Sequence, residues 1–359
     1  MRKYMKMTAI IFAGGAGTRL WPISRKNSPK QFATIKDNKS TLQMAYDRIA
    51  DIGSEQIYVS TNEAYKDIVK KQLPDLADDH ILLEPAKRDQ GPAVALTLLR
   101  LKERGVTGPI SILWSDHLMD HPDKFLQALK KAATMIEAKP DRFVFLGETP
   151  RFANHNLGWI YLGNPKSDAA DEQEYTFAGW KYRPEIALCE KMFHSGKYLW
   201  NTGYFVTDID FLLGLYETHQ QEMLSSLQTM IKEKTFEEQY VSLPSISFDN
   251  AIIENIDLSQ GTVLKVNLGW SDPGTLYAFK EAFVPEKEKN YEKGNVFTLD
   301  SHDSFVYNEE EHKLVTTIGL DGIVVVNTKD GMLVCKKEDV PRVKELLKNL
   351  EDKGLEEYL

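Results

Sequence analysis

A glycine-rich segment near the start of the chain is the part best suited to chemistry. Residues 13–19 read Ala-Gly-Gly-Ala-Gly-Thr-Arg and directly follow a short apolar run. Glycines let backbone N–H groups approach a phosphate because no Cβ atom stands in the way. Arg19 and, further on, Lys30 add fixed positive charge. The segment therefore predicts a phosphate-binding loop, with backbone contacts from Gly14, Gly15, Gly17 and Thr18.

Two other interpretations of this loop compete with phosphate binding. A dinucleotide-binding loop, as in an NAD-dependent dehydrogenase, needs a third glycine where Leu20 stands, and Asp37, at the expected offset, lies in a polar stretch. A purely structural turn explains the glycines but gives Arg19 and Lys30 no role. Phosphate binding accounts for both the glycines and the charges.

The elements that must position this loop alternate between strands and helices up to about residue 115. Strands are predicted at 8–13, 56–60, 80–84 and 110–114, and helical spacing occurs at 42–49, 64–73 and 93–102, with Thr41 as an N-cap. Such alternation predicts right-handed βαβ units, a mostly parallel sheet and helices on both of its faces. Ligands of such sheets collect at the carboxyl ends of the strands.

The pattern becomes mixed after residue 116. Strands are predicted at 143–146, 159–162, 175–182 and 199–206, and helices at 185–194, 209–219 and 248–255. A charged linker at 289–294 is followed by short strands over 295–334 and a charged terminal helix over 340–359. We therefore predict a large α/β domain at 1–288 and a small β-rich domain at 289–359.

Charge and composition limit the possible partners. Lys and Arg number 44 and Asp and Glu 53, which gives a net charge of −9. A chain this acidic has no global field for a polyanion, so we expect no nucleic acid partner, and any bound phosphate must meet a local cluster of cations. With 42% hydrophobic and 10% aromatic residues, the chain is predicted to be globular.

Cysteine use and hydropathy indicate the compartment. Cys189 and Cys335 are the only cysteines, so no disulfide framework exists and a reducing cytoplasm is expected. Three basic residues precede the apolar run 7–13, as in a signal peptide, but the run is short and no typical cleavage site follows. No apolar stretch reaches the roughly 18 residues of a membrane span, so we expect no membrane association.

Several motifs together resemble the sugar-1-phosphate nucleotidyltransferases. Segment 12–32 looks like their signature loop, and its Leu-Trp-Pro and Pro-Lys-Gln-Phe elements are similar to those of mannose-1-phosphate guanylyltransferases. Further motifs follow in the family's order: Glu84-Pro85 with Arg88 and Pro92, Ser115-Asp116-His117, Gly158-Trp159-Ile160, Trp200-Asn201-Thr202-Gly203, Ser247-Phe248-Asp249 and Gly269-Trp270-Ser271-Asp272. The resemblance covers nearly the whole chain.

The resemblance implies a fold and a reaction. The fold is a Rossmann-like, GT-A-like mixed sheet with helices on both faces, followed by a small left-handed β-helix-like domain. The reaction joins GTP to mannose 1-phosphate and gives GDP-mannose and pyrophosphate. A sugar 1-phosphate is already an anion at neutral pH, so it can attack a nucleoside triphosphate without a protein base or nucleophile. The enzyme must supply alignment and charge neutralisation.

Roles for individual residues follow from the same resemblance. Asp116 and Asp272 would bind Mg²⁺, and Arg19 and Lys30 would stabilise charge on the phosphates. The nucleotide would contact Gly14, Gly15, Gly17, Thr18, Glu84, Arg88 and Pro92. The sugar phosphate would contact Gly158, Tyr182, Arg183, Asn201 and Asp249.

Other interpretations of these residues remain open. Asp116 and Asp272 are two of 53 acidic residues and are also compatible with a helix cap and a turn residue. His117, Asp120 and His121 lack a nearby cysteine and do not make a closed tetrahedral zinc site.

The chain departs from the family pattern at two substrate-facing motifs. Where the family usually has Asn-Thr-Ala-Pro, this chain has Asp-Gln-Gly-Pro at 89–92. Where the family has Glu-Lys-Pro, this chain has Tyr-Arg-Pro at 182–184. The same chemistry on another hexose or heptose 1-phosphate, or with another nucleoside triphosphate, is therefore an alternative. A second alternative is a non-catalytic nucleotide-sugar sensor. The short strands of the tail are expected to pack on the body or on a second subunit, giving a homodimer.

Overall fold

The computed structural model describes residues 7–15, 17, 20–25, 27–36, 38–166 and 173–359, with only the backbone at 36, 237 and 238. These residues form two compact units. The large unit holds the described residues of Met1–Gly14, Met44–Ser115 and Met119–Trp270. The small unit holds those of Gly15–Gln43, Asp116–Leu118 and Ser271–Leu359. The predicted domain boundary at residue 288 stays a prediction.

Strands and helices are numbered in chain order over the described residues. The strands are β1 Thr8–Phe12, β2 Thr34–Lys36, β3 Lys39–Ser40, β4 Ile57–Asn62, β5 Ile81–Glu84, β6 Pro109–Trp114, β7 Phe143–Glu148, β8 Gly158–Pro165, β9 Glu174–Tyr182, β10 Tyr198–Asp208, β11 Gly261–Val266, β12 Tyr291–Lys293, β13 Val296–Leu299, β14 Phe305–Asn308, β15 Val315–Ile318, β16 Ile323–Asn327 and β17 Met332–Lys336. The helices are α1 Thr41–Asp47, α2 Lys66–Gln72, α3 Gln90–Glu103, α4 Pro122–Ala138, α5 Ile186–Ser195, α6 Ile209–His219, α7 Gln221–Glu233, α8 Phe236–Gln239, α9 Phe248–Ala251, α10 Leu276–Phe283 and α11 Val343–Asp352.

The large unit is built on one mixed sheet. Within the described part of the chain it has nine strands in the order β5-β4-β1-β6-β10-β7-β11-β9-β8. The first four are mutually parallel, as the βαβ pattern predicts. Strand β10 is antiparallel to both β6 and β7, which makes the sheet mixed. No helix among the described residues is long and apolar enough to cross a membrane.

Helices cover both faces of this sheet. Tyr204 of β10 packs on Phe125 of α4, with ring centroids 4.8 Å apart. The next residue, Phe205, packs on Phe248 of α9, with centroids 5.8 Å apart. Because successive strand residues point to opposite faces, α4 and α9 lie on opposite sides of the sheet. The predicted fold class is therefore confirmed.

Some elements differ from those predicted. The predicted helix at 248–255 ends at Ala251 and continues as a 3₁₀ turn, and the terminal helix covers only Val343–Asp352. Thr41 is the first residue of α1 rather than the residue before it. Strand β11 and helices α4, α7 and α10 were not predicted. Helix α4 carries buried side chains at 125, 129, 132, 133 and 136, a spacing that the sequence does contain.

The tail of the small unit is a β-helix. Phe305 pairs in parallel with Val324, and Val296 pairs in parallel with Val315, so each coil takes nineteen residues. Valines of successive coils, among them Val306 and Val325, fill the interior. Strand β17 then runs antiparallel to β16 and ends the ladder.

Contacts within the small unit join this tail to segment 15–43, which carries Lys30. Arg25 Nη2 lies 2.5 Å from Asp330 Oδ1. The indole Nε1 of Trp21 donates to the carbonyl of Tyr358 at 2.7 Å. The Tyr291 hydroxyl donates to the carbonyl of Ile35 at 2.8 Å. Residues on both sides of Lys30 are therefore packed on the tail of the small unit.

A buried ionic cluster fixes α10 to the tail. Lys280 Nζ is 2.7 Å and Lys337 Nζ 2.6 Å from the Asp303 carboxylate, and the Tyr277 hydroxyl donates to it at 2.8 Å. Burial opposes ionisation of Asp303, but these three donors outweigh burial and lower its pKa to about 2. The side chain of Lys280 is fully buried, so Asp303 is its essential counter-charge.

Replacing Asp303 by alanine is expected to lower the free energy of unfolding by about 3 to 5 kcal/mol, because it leaves the buried Lys280 ammonium unpaired. Urea unfolding measures the loss. The matched control is Asp339→Ala, whose partner Arg342 lies on the surface and whose effect should fall within error. In the wild-type protein the Asp303 contribution should disappear as the pH falls from about 4 to 2. Equal stability of both variants would contradict this role.

Candidate active site

The glycine that follows β1 in the large unit lies against a buried glutamate. The loop start is fixed because Ala13 N donates to the carbonyl of Ser60 at 2.7 Å. A Cβ atom on Gly14 would lie 2.7 Å from Glu84 Oε1. Any side chain at position 14 would therefore displace the Glu84 carboxyl, which ends β5. The structure brings these two predicted nucleotide contacts together.

In the small unit the glycines of the same loop pack around the Lys30 turn. Gly17 has φ +58°, and a Cβ atom there would lie 2.6 Å from Lys30 Cγ and 2.8 Å from its backbone N. The Gln31 amide donates to the Gly15 carbonyl at 2.9 Å. Ser24 Oγ donates to the Gly17 carbonyl at 2.6 Å. Glycine at position 17 is thus needed both for its backbone conformation and for the close approach of Lys30.

The Lys30 ammonium lies between the two predicted metal ligands. Its Nζ is 2.6 Å from Asp116 Oδ2 and 3.8 Å from Asp272 Oδ1. Side-chain exposure is 15% for Lys30, 28% for Asp116 and 37% for Asp272, so solvent reaches the carboxylates. Burial opposes ionisation of Asp116, but the charges of Lys30 and His117 outweigh it and hold its pKa well below the usual range. Asp116 is therefore a carboxylate at neutral pH.

A short backbone bridge brings the two aspartates to this point. The N–H of Leu118 donates to the carbonyl of Ser271 at 3.0 Å, and Ser271 N–H donates back to the carbonyl of Leu118 at 3.1 Å. Asp116 lies two residues before this bridge and Asp272 one residue after it. Residues more than 150 positions apart in sequence thus share one ammonium.

This pair of carboxylates fits a magnesium ion held jointly with substrate. Among the described residues no group of three or more His, Cys, Asp or Glu side chains forms a metal cage. Mg²⁺ does not need one, because it keeps several waters and is usually held by one or two carboxylates plus substrate phosphates. Asp116 and Asp272 are a donor set of this kind. Arg19 and Thr18 lie outside the described residues.

Glu84 is the buried acid of the large unit. Its side chain accepts a hydrogen bond of 3.3 Å from the Tyr240 hydroxyl. Burial raises the pKa of Glu84 to about 7, although the Tyr240 hydrogen bond and the charge of Lys87 oppose the shift. Glu84 therefore changes its protonation state closer to neutral pH than an exposed glutamate, so its hydrogen-bond acceptors depend on pH.

The other predicted nucleotide contacts surround the start of α3. Arg88 Nη2 donates to the carbonyl of Val241. Gly91 N–H donates to the carbonyl of Ile246 at 2.9 Å, and a Cβ atom on Gly91 would lie 2.8 Å from that oxygen. The glycine where the family usually has alanine is thus explained by close backbone packing. Pro92 is buried in the first turn of the helix.

A separate group in the large unit holds most of the predicted sugar-phosphate contacts. Gly158 pairs with Tyr182 across β8 and β9. A Cβ atom on Gly158 would lie 3.4 Å from the Cβ of Asn201, so the backbone passes close to that side chain. Arg183 has φ +41° and its Nε donates to the carbonyl of Asn156 at 3.3 Å. Its guanidinium lies 4.9 Å from the centre of the exposed Tyr182 ring.

Asp249 has different neighbours from the rest of this predicted group. It belongs to α9, and burial followed by the charges of Glu254 and Asp89 raises its pKa to about 6. Helix α9 packs against α3, which begins near Arg88, so the helix that carries Asp249 lies next to the predicted nucleotide contacts. Its assignment to the sugar phosphate stays a prediction.

A buried glutamate at the end of β7, Glu148, was not predicted from the sequence. The Glu148 carboxylate accepts the N–H groups of Leu268 at 2.9 Å and Gly269 at 3.2 Å. Arg151 pairs with Glu148 at 3.3 Å and donates to the Trp270 carbonyl at 2.8 Å. Glu148 thus fixes the backbone that leads into the Gly-Trp-Ser-Asp motif. An acidic residue two positions after the predicted strand 143–146 was the available signal.

Comparison with known proteins shows which family the chain belongs to. The nucleotidyl transferase family model matches residues 8–289, and a model described as the MannoseP isomerase/GMP-like beta-helix domain matches residues 294–350. The chain therefore belongs to the nucleotidyl transferase family, and the resemblance seen in its sequence is confirmed.

Three known proteins show which members of the family this chain is similar to. Mannose-1-phosphate guanylyltransferase 2 of Escherichia coli O157:H7 is 29% identical, and the match covers 98% of this chain and 75% of the relative. Alginate biosynthesis protein AlgA of Pseudomonas aeruginosa is 30% identical, covering 98% and 73%. A crystal structure from Thermus thermophilus described as a mannose-1-phosphate geranyltransferase matches with a TM-score of 0.85 at 28% identity, over 97% of this chain and 100% of the other.

Proposed function

We propose that this chain transfers the GMP group of GTP to mannose 1-phosphate, which gives GDP-mannose and pyrophosphate. The observation that carries the proposal is the charge cluster in which one ammonium contacts two carboxylates from distant parts of the chain. The curated relatives supply the substrates, because they are mannose-1-phosphate guanylyltransferases over almost the whole length of this chain.

The reaction needs no protein nucleophile. An oxygen of the sugar phosphate forms a bond to the α-phosphorus, and the bond from that phosphorus to the β-phosphate bridging oxygen breaks, so pyrophosphate leaves. No proton has to move, because the attacking and leaving oxygens are both phosphate anions. A magnesium ion held by Asp116 and Asp272 would neutralise part of the phosphate charge. We assign Lys30 and Arg19 to the charge that develops on the leaving pyrophosphate.

Base selection is assigned to Glu84. Guanine presents two adjacent donors, N1–H and the N2 amino group, on one edge, whereas adenine presents a donor and an acceptor. An ionised carboxylate is acceptor-only and matches guanine alone. Glu84 lies beside Gly14 at the start of the phosphate loop and is held by Tyr240. This placement supports GTP as the nucleotide.

We assign the sugar phosphate to the group formed by Gly158, Tyr182, Arg183 and Asn201. The planar guanidinium of Arg183 can grip two phosphate oxygens at once. Tyr182, which replaces a carboxylate of the usual family pattern, offers a neutral hydroxyl and an exposed ring. We therefore propose that this site selects less strictly among sugar epimers than one with a charged acceptor.

The metal assignment predicts the effect of two isosteric changes. Asp116→Asn and Asp272→Asn keep side-chain volume but remove an anionic oxygen, so turnover should fall by at least about 100-fold while the protein stays folded. Pyrophosphate release measures turnover, over a matrix of GTP, ATP, UTP and CTP against mannose, glucose and heptose 1-phosphates. The wild-type protein, assayed with the same combinations, identifies the pair of substrates that it uses. If it releases no pyrophosphate with any combination, the non-catalytic nucleotide-sugar sensor is favoured.

The matched control is Asp78→Asn, a surface aspartate paired with the exposed Lys70. It should leave turnover unchanged. Near-normal turnover of both Asp116→Asn and Asp272→Asn at limiting Mg²⁺ would reject these residues as ligands.

The base assignment predicts a pH effect. Because the pKa of Glu84 is about 7, lowering the pH from 8 to 6 protonates it and removes acceptors, so the KM for GTP should rise. Glu84→Gln should raise that KM by about tenfold at pH 8 and remove the pH dependence, with less effect on ATP. Tyr240→Phe keeps the carboxylate but removes a hydrogen bond that lowers its pKa, so the KM for GTP should begin to rise at a higher pH than in the wild type. An unchanged KM in Glu84→Gln would place base recognition elsewhere.

The surroundings and assembly of the protein are also proposals. Both cysteines are free thiols, which supports the reducing cytoplasm as compartment.

The outward face of β13 and β15 carries Phe297, Leu299 and Ile318, which are 60%, 47% and 70% exposed. A flat apolar sheet face of this kind is a typical contact between subunits. We propose that it joins two copies of the chain as a homodimer.

Light scattering is expected to give twice the 41.0 kDa chain mass at micromolar concentration. Ile318→Asp should shift the mass to the monomer, because a charge in a buried apolar contact is not paired. The control is Ile186→Asp on α5, which is 64% exposed on the large unit and should not change the mass. A wild-type monomer would contradict the dimer.

A further inference from the structure

The Lys30 ammonium lies between the carboxylates of Asp116 and Asp272, the two residues that would hold a divalent cation. Its Nζ contacts Asp116 Oδ2 at 2.6 Å and remains within 3.8 Å of Asp272 Oδ1. His117 Nε2 lies 3.9 Å from the other Asp116 oxygen. Two carboxylates that would repel each other are therefore held around a cation that the chain itself supplies.

The stem of Lys30 is held in place. Its backbone begins the 3₁₀ turn Lys30–Phe32. The Gly17 backbone packs so closely on Cβ, Cγ and N of Lys30 that a single added methyl group would overlap all three. With the stem fixed, the ammonium moves only through its last bonds. It remains near the carboxylates unless another anion attracts it.

We propose that Lys30 is a resident counter-cation that keeps the divalent-metal site closed until a triphosphate arrives. The inference rests on the proposed function, because it takes Asp116 and Asp272 as the metal ligands. It adds an order of binding: the free protein holds divalent cations weakly, and the nucleotide brings the metal in. Lys30 then transfers from the carboxylates to the phosphates.

Charge balance gives the physical reason. Two carboxylates and one ammonium carry a net charge of −1, and a divalent ion added to them leaves +1, with two cations close together. The triphosphate of a nucleotide supplies several negative charges, so the metal and the ammonium are then both neutralised. Removing the ammonium takes away the nearest counter-charge of two adjacent carboxylates, which favours metal binding in the absence of nucleotide.

Manganese binding to the free full-length chain tests the proposal directly. Mn²⁺ shares the oxygen ligands of Mg²⁺ and is measured by electron paramagnetic resonance without any turnover. Lys30→Met keeps the stem that packs on Gly17 but removes the charge, so its Mn²⁺ Kd should be at least about tenfold lower than that of the wild type. Lys30→Arg keeps the charge and should bind Mn²⁺ as weakly as the wild type.

Two controls locate the effect. Lys70→Met removes a surface lysine paired with Asp78 and should leave the Mn²⁺ Kd unchanged. Adding Asp116→Asn to Lys30→Met should abolish the gain in affinity. Thermal melting checks that each variant is folded, and Lys30→Gln serves as a second neutral variant that keeps the Cβ and Cγ atoms packed on Gly17.

Equal Mn²⁺ affinity in folded Lys30→Met, Lys30→Gln and wild-type protein would overturn the counter-cation role. That result would leave the proposed function intact if the wild-type protein still releases pyrophosphate. A gain in Mn²⁺ affinity without pyrophosphate release would instead support the counter-cation and reject the transferase.

Discussion

Two negative charges have to be held close together at the candidate active site, and the Lys30 ammonium makes this possible. Asp116 and Asp272 come from distant parts of the chain, and their mutual repulsion is offset by the cation that both contact. A backbone bridge between Leu118 and Ser271 supplies the geometry. Gly17 supplies the room for Lys30. The glycine at position 17, the Lys30 turn and the two aspartates are all constrained by this one arrangement of charge.

Buried acids hold key backbone segments in both units. Glu148 accepts the N–H groups of Leu268 and Gly269 in the large unit, and Asp303 accepts two ammonium groups and a hydroxyl in the small unit. Burying a carboxylate is costly unless donors satisfy it, so each acid also fixes the donors around it. Loops that carry functional residues are therefore held by charge-assisted hydrogen bonds rather than by apolar packing alone.

The fold was largely predictable because its signals are local. The strands ending at Phe12, Glu84 and Trp114 follow from short apolar runs, and helix Ile209–His219 was predicted to its last residue. Strand Gly261–Val266 was not predicted, because a lysine interrupts its apolar run and its place depends on pairing with a strand more than a hundred residues earlier. Within the site, the types of the residues were predictable, but the contact between Gly14 and Glu84 was not.

The sequence by itself determined the residue types that the chemistry needs: a glycine-rich loop, fixed cations and acids after buried strands. Their order along the chain was enough to identify the family. Only the tertiary structure decided which charges meet, since Lys30 reaches Asp116 and Asp272 across long stretches of chain. It also decided that the described residues of segment 15–43 pack with the tail and that α9, which carries Asp249, packs against α3. The physical reason is that residue type and spacing fix local backbone structure, whereas charge pairing and burial depend on distances between segments that no local pattern encodes.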